Sequence, residues 1–190
     1  MSQPADYRDP RSLRSRERII RALRAELRAG RSLTIAAVTG EAKVTRQTFY
    51  NNFDSLEEAG WFALLEDFNT LLVDDIQTRW SGASPDFVGL ASLRKIVELL
   101  RAESSLSLLA NGYRDEAGLT GLAAVMLSEI RRFRAEFGDP ASPLAQEEDL
   151  YTATGLCGLL TVAATGDASS TSIARAAYAL LPEWMRQPRL

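Results

Sequence analysis

The stretch that most constrains this chain runs from Leu33 to Phe53, LTIAAVTGEAKVTRQTFYNNF. It reads as two short helices with a tight turn between them. Thr34 is placed to cap the first, its hydroxyl accepting a backbone N–H two or three residues on. Ile35, Ala36, Ala37 and Val38 start a helix apolar enough to be buried, and Glu41 to Val44 is too weakly patterned to extend it. Thr45 is a second N-cap, before a helix starting at Arg46. At about 100° per residue, Arg46, Gln47, Tyr50 and Asn51 share one arc, with Phe49 and Phe53 on the opposite side. An aromatic inner face and an outer face of long hydrogen-bonding side chains is the layout of a helix-turn-helix. The second helix of that motif enters the DNA major groove N-terminus first.

Charge is distributed in keeping with that reading. The net charge is only -3 over 190 residues, yet residues 1–53 carry +6 and residues 54–190 carry -9. A basic head on an acidic body is what a chain with one end facing phosphate needs. The rival reading is a solvated Arg-rich helix. The chain has no His, which removes His-based metal sites and Ser-His or Cys-His catalysis. The single Cys157 cannot form an intramolecular disulfide, fits a reducing cytoplasm, and reads as a small hydrophobe in an apolar helix. The polar, Arg-rich start does not read as a signal peptide.

The rest of the chain is helical in period throughout. Met1 to Arg14 reads as a mobile arm whose Arg8, Arg11 and Arg14 either reach DNA or hang free. Ser15 to Ala29 carries the stripe Ile19, Ile20, Leu23 and Leu27 and stops at Gly30. That stripe is expected on Val38, Val44, Phe49 and Phe53. Ser55-x-x-Glu58 is a capping box that opens a helix to about Trp80. Helices follow at about 86–103, 104–110 and 120–137. Leu150 to Gly166 is uncharged but rich in Thr and Gly, and reads as a buried helix with a close-approach strip at Gly155, Gly158 and Val162, not a membrane span. A last helix carries Ile173, Ala177, Leu180, Leu181 and Trp184. The acidic runs Asp74-Asp75 and Glu147-Glu148-Asp149 read as solvated, and no enzymatic motif is present.

Thr34 to Phe53, with Asp54 to Glu58 behind it, resembles the DNA-binding signature of the TetR family of transcriptional regulators. Val38-Thr39, Lys43-Val44-Thr45, Phe49-Tyr50 and Phe53 carry the resemblance, which covers about residues 15–60. Two positions depart from the pattern: Lys43 stands where Gly is usual, and Leu56 where a phosphate-binding Lys is usual. The resemblance implies an all-α fold, with an arm at 1–14, a helix-turn-helix head at 15–54 and a ligand-binding and dimerisation body at 55–190. It implies a cytoplasmic, non-enzymatic homodimer on a palindromic double-stranded operator, most simply a repressor released by a small molecule, with no cofactor or metal. Thr45, Arg46, Gln47 and Asn51 would face bases, and Thr34, Thr48, Tyr50 and Asn52 would hold phosphates. The ligand pocket is expected among Trp61, Phe68, Asn69, Asn111, Tyr113, Arg114, Phe133 and Tyr151. The dimer interface is expected at Tyr151, Gly155, Gly158, Val162, Ile173, Ala177, Leu180, Leu181 and Trp184. The alternative is a helical interaction module of the same fold that no longer binds DNA.

Overall fold

The first helix begins earlier than its composition suggests. The computed structural model describes residues 10–137 and 142–186, and α1 spans Pro10–Arg28. Arg11 and Arg14 therefore stand on a helix and not in an arm. Proline's fixed φ and missing N–H suit a first helical turn, which is why the chain can start there. The rest of the expected arm, including Arg8, lies outside the described residues.

α2 (Ile35–Ala42) and α3 (Arg46–Tyr50) complete the head. α2 runs past Val38 to Ala42, against the weak pattern, because Ala42 is drawn into the core and the helix end is closed on its own backbone. Val44 N–H bonds Thr39 O at 3.0 Å and Lys43 N–H bonds Gly40 O at 3.2 Å, the paired closure of a Schellman end. The stripe of α1 packs as expected: Ile19, Ile20, Leu23, Val38, Phe49 and Phe53 are buried together. The cluster continues into the body, since the rings of Phe53 and Phe62 lie 5.7 Å apart.

The body consists of α4 (Leu56–Trp80), α5 (Pro85–Ala102), α6 (Ser104–Gly112), α7 (Gly121–Phe137), α8 (Ala145–Ala164), α9 (Ser170–Leu180) and the single turn α10 (Glu183–Arg186). α4 starts as the capping box predicts: Ser55 Oγ accepts from Glu58 N at 3.0 Å, and the Glu58 carboxylate accepts from Asp54 N at 2.5 Å. α4 packs on α1, α5, α6 and α7, so it carries the head's position into the body. The expected last helix is split in two at Leu181-Pro182, where proline forces Leu181 to an extended backbone (φ -68°, ψ 145°). Among the described residues the extended structure amounts to one bridge, Arg114 with Thr120.

Two of the acidic runs are not wholly solvated. Asp149 is 3% exposed and accepts from Arg134 Nε at 2.8 Å, while Arg134 Nη2 reaches Glu148 at 2.9 Å and its guanidinium lies over the Trp184 ring. Asp75 is also buried, paired with Arg79 at 3.0 Å and taking a hydrogen bond from Ser92 Oγ. Adjacent carboxylates on a helix do point apart, so one of each run turns inward, and each inward one has met a cation.

Candidate nucleic-acid interface and body cavity

The geometry of α3 follows from its caps and from the two phenylalanines beneath it. Thr34 Oγ accepts from Ala37 N at 3.1 Å, and Thr45 Oγ accepts from Thr48 N at 3.0 Å. Between them Lys43 adopts φ 52°, ψ 48°, the left-handed conformation. Phe49 and Phe53 are 0% and 1% exposed and pin one face of α3 to α1. The opposite face carries exposed Arg46, Gln47, Tyr50 and Asn51. Tyr50 is 52% exposed, with its ring edge-on to Phe49. Gln47 Nε2 donates to Asn51 Oδ1 at 2.9 Å, so these two amides hold each other until something replaces them. Thr48 Oγ is 2.9 Å from Thr45 Oγ.

Asn52 departs from its expected role. Its Nδ2 donates to Thr48 O at 2.7 Å and its Oδ1 accepts from Ser12 Oγ at 3.3 Å. Both ends of the amide are engaged inside the head, so Asn52 joins α3 to the start of α1 instead of presenting itself to phosphate. Helical phase accounts for this: Asn52 falls between the arcs of Asn51 and Phe53, and the early start of α1 supplies Ser12.

The positive charge of the head is also spent differently from the simple count. Arg24 pairs with Asp67 at 2.9 Å and with Glu103 at 3.6 Å, and Arg28 pairs with Glu103 at 2.6 Å. Arg31 pairs with Glu26 at 2.7 Å. These pairs and the carboxylates around them raise the Arg28 and Arg31 pKa values. Three of the arginines thus bind head to body or stay within the head. Lys43, Arg46 and the exposed Arg11, Arg14, Arg18 and Arg21 of α1 remain on the surface. Arg18 also donates to Lys43 O at 2.9 Å, beside the turn.

The body encloses a cavity of about 120 Å³ between α4, α5, α7, α8 and the last two helices. Its wall is mainly apolar, with Phe68, Leu93, Ile96, Met126, Ile130 and Phe133, and it includes Asp75, Arg79, Ser92, Glu129 and Tyr178. Of the eight residues expected here, Phe68 and Phe133 line it. Trp61 and Tyr113 stack on each other at 4.7 Å in a separate cluster between α4 and α6. Arg114 donates to the backbone oxygens of Asn111 and Tyr113. Asn69 and Tyr151 are exposed, Tyr151 at 80%. The polar wall residues were available to sequence reasoning: Asp75 and Arg79 fall seven and eleven residues after Phe68, in phase with the apolar stripe of α4. Tyr178 lies close because residue 89 is glycine. A β-carbon there would stand 2.6 Å from the Tyr178 ring, and the Tyr178 hydroxyl donates to Asp86 at 2.5 Å. Burial first, then Asp86, push that phenol up to about 12.

The expected interface residues divide. Ile173, Ala177 and Leu181 are buried within the chain, because α9 turns that face onto α5, and Trp184 packs beneath Arg134. Tyr151, Val162 and Leu180 are 80%, 73% and 75% exposed, and nothing lies within 4 Å of a β-carbon built at Gly155 or Gly158. A shallow groove between α8 and α9 joins Tyr151, Gly155 and Leu180.

No known family's sequence profile matches this chain, and no curated protein is significantly similar to it in sequence. Solved structures do match in fold. FadR of Thermus thermophilus, a TetR-family transcriptional repressor in complex with lauroyl-CoA, has a TM-score of 0.66 at 16% identity, over 87% of this chain and 92% of that one. RolR in complex with the ligand resorcinol has a TM-score of 0.56 at 18% identity, over 93% of each chain. RolR without ligand has a TM-score of 0.52 at 17% identity, over 90% of this chain and 94% of that one. The fold is the all-α fold found in a TetR-family regulator, matched over nearly the whole length.

Proposed function

We propose that this protein is a sequence-specific DNA-binding transcriptional regulator, most simply a cytoplasmic repressor that acts as a homodimer and leaves its operator when a small molecule fills the body. It has no enzymatic role in this reading. The observation that carries it is α3, a capped helix with its aromatic face locked to α1 and Arg46, Gln47, Tyr50 and Asn51 exposed on the other side. Thr45, Arg46, Gln47 and Asn51 are assigned to the base edges, and Thr34, Thr48 and Tyr50 to phosphates. Phosphate contacts set register and base contacts read sequence. The homodimer is assigned to the exposed strip of α8 and α9, through Tyr151, Gly155, Gly158, Val162 and Leu180. Two related heads then meet a palindromic site. The match to FadR, a repressor in complex with lauroyl-CoA, and to RolR with resorcinol supports a ligand-responsive body.

A mobility-shift assay with genomic DNA fragments at two salt concentrations tests this. The expected result is a fragment retained at the higher salt, where non-specific binding has fallen away. Uniform loss of every fragment would favour the interaction-module reading.

A further inference from the structure

The cavity in the body holds two polar atoms that no other group among the described residues answers. Arg79 is 6% exposed, its Nε is committed to Asp75, and its guanidinium lies 4.9 Å from the Phe133 ring centre. Its Nη1 is buried without a hydrogen-bond partner. Glu129 Oε2 is likewise buried and unanswered: the Arg132 guanidinium is 2.7 Å away but out of hydrogen-bonding line. The remaining polar groups of the wall are occupied, since Ser92 donates to Asp75 and Tyr178 to Asp86. One orphan is a donor and the other an acceptor, and buried polar atoms left unpaired are rare enough to require an explanation.

We propose that the cavity binds a neutral, hydroxyl-bearing apolar molecule of about one ring, a phenol being the simplest, whose oxygen accepts from Arg79 Nη1 and whose O–H donates to Glu129 Oε2. This rests on the ligand-released reading above and names its ligand class. The alternatives each leave a fault. A carboxylate satisfies Arg79 but adds a negative charge beside Asp75 and Glu129 and brings no proton for Oε2. An ammonium satisfies Glu129 and leaves Nη1 bare. A hydrocarbon leaves both atoms unpaired in a site it has dried. A hydroxyl answers both, being donor and acceptor at once. Size agrees: the cavity is about 120 Å³, and an apolar cavity of about 150 Å³ takes up benzene.

Calorimetric titration of the full chain, without DNA, against 4-methylphenol, toluene and benzoate tests the assignment. The expected order puts 4-methylphenol about tenfold or more tighter than toluene, because a site built to bond a hydroxyl rejects the analogue lacking it. Benzoate should bind more weakly than 4-methylphenol. Glu129→Met should bring 4-methylphenol and toluene close to equal. Arg79→Met made together with Asp75→Asn should do the same without stranding a buried carboxylate. If that double variant does not melt cooperatively, Glu129→Met decides alone. Equal affinity for 4-methylphenol and toluene, tightest binding of benzoate, or no binding of all three would overturn the proposal. None of these results touches DNA binding, which the shift assay judges separately. If bound 4-methylphenol leaves DNA affinity unchanged, the release reading fails and the ligand assignment stands.

Discussion

At the scale of single residues, neighbouring positions on α3 have opposite jobs. Phe49 has no exposed surface and its ring lies 5.9 Å from Phe53. Phe49→Ala should cost about 3–5 kcal/mol and remove DNA binding by unfolding the head, seen as a lost melting transition. Gln47→Ala should leave the melt intact and relax preference at one base step per half-site, a discrimination of about 1–3 kcal/mol. Tyr50→Phe should weaken all sequences alike with little change in salt slope, because a neutral hydroxyl releases no counterion. A folded protein whose operator affinity ignored both changes would remove α3 from the interface. Lys43 gives a second residue-scale prediction. Its left-handed backbone costs a β-carbon-bearing residue about 1–2 kcal/mol. Lys43→Gly removes that strain but adds about 0.5–1 kcal/mol of unfolded-chain entropy. Calorimetry should therefore find a gain of up to about 1 kcal/mol, and a loss would mean that the turn is not strained.

At the scale of elements, α8 and α9 differ in what they leave uncovered. α9 buries Ile173, Ala174 and Ala177, largely against α5, whereas α8 leaves Tyr151 and Val162 in solvent with open space over Gly155 and Gly158. Gly158→Arg should leave the protomer folded, since its new side chain meets nothing within the chain. It should split the dimer by placing an unpaired charge in the contact, at a cost on the order of several kcal/mol. Light scattering should find the wild type dimeric and the variant monomeric at micromolar concentration; a monomeric wild type would sink the interface. The junction of α6 and α7 is tight in the opposite sense. A β-carbon at Gly121 would stand 2.7 Å from Ala110 O and 2.6 Å from the Trp61 ring. A carbonyl cannot swing aside as a side chain can. Gly121→Ala should thus destabilise by about 1–3 kcal/mol, although Ala is the better helix former. An unchanged or raised melting temperature would contradict that packing.

At the scale of the whole molecule, the head and the body are joined by charge as well as by aromatic rings. Arg24 and Arg28 of α1 meet Asp67 of α4, and Glu103 between α5 and α6 takes both arginines. The cavity touches α4 and α5 further along, so both elements run from ligand to head. Linkage requires that a ligand weakening operator binding is itself bound more weakly by the DNA complex, by the same factor. Glu103→Gln releases both arginines at once. It should bring that factor closer to one while leaving ligand affinity without DNA unchanged. Titrating ligand with and without operator measures it, and an unaltered factor would mean that coupling bypasses this joint.

The sequence by itself determined what depends on local spacing. The caps at Thr34, Thr45 and Ser55, the inner and outer faces of α3, the left-handed turn at Lys43 and the all-helical plan are set by residues a few positions apart. Those interactions form within one or two helical turns whatever surrounds them. The tertiary structure alone decided which partner each face meets. Asp75 and Asp149 read as solvent-facing until Ser92 and Arg134 arrive from other helices. Asn52 was free until Ser12 reached it, and Arg24 and Arg28 were available for phosphate until Asp67 and Glu103 took them. Tyr113 and Tyr178 are both aromatic residues of the body, but only Tyr178 faces the cavity, through a space left by Gly89. A side chain's period fixes the direction in which it points along its own helix. What lies in that direction is set by residues tens of positions away, and one sequence carries no local record of them.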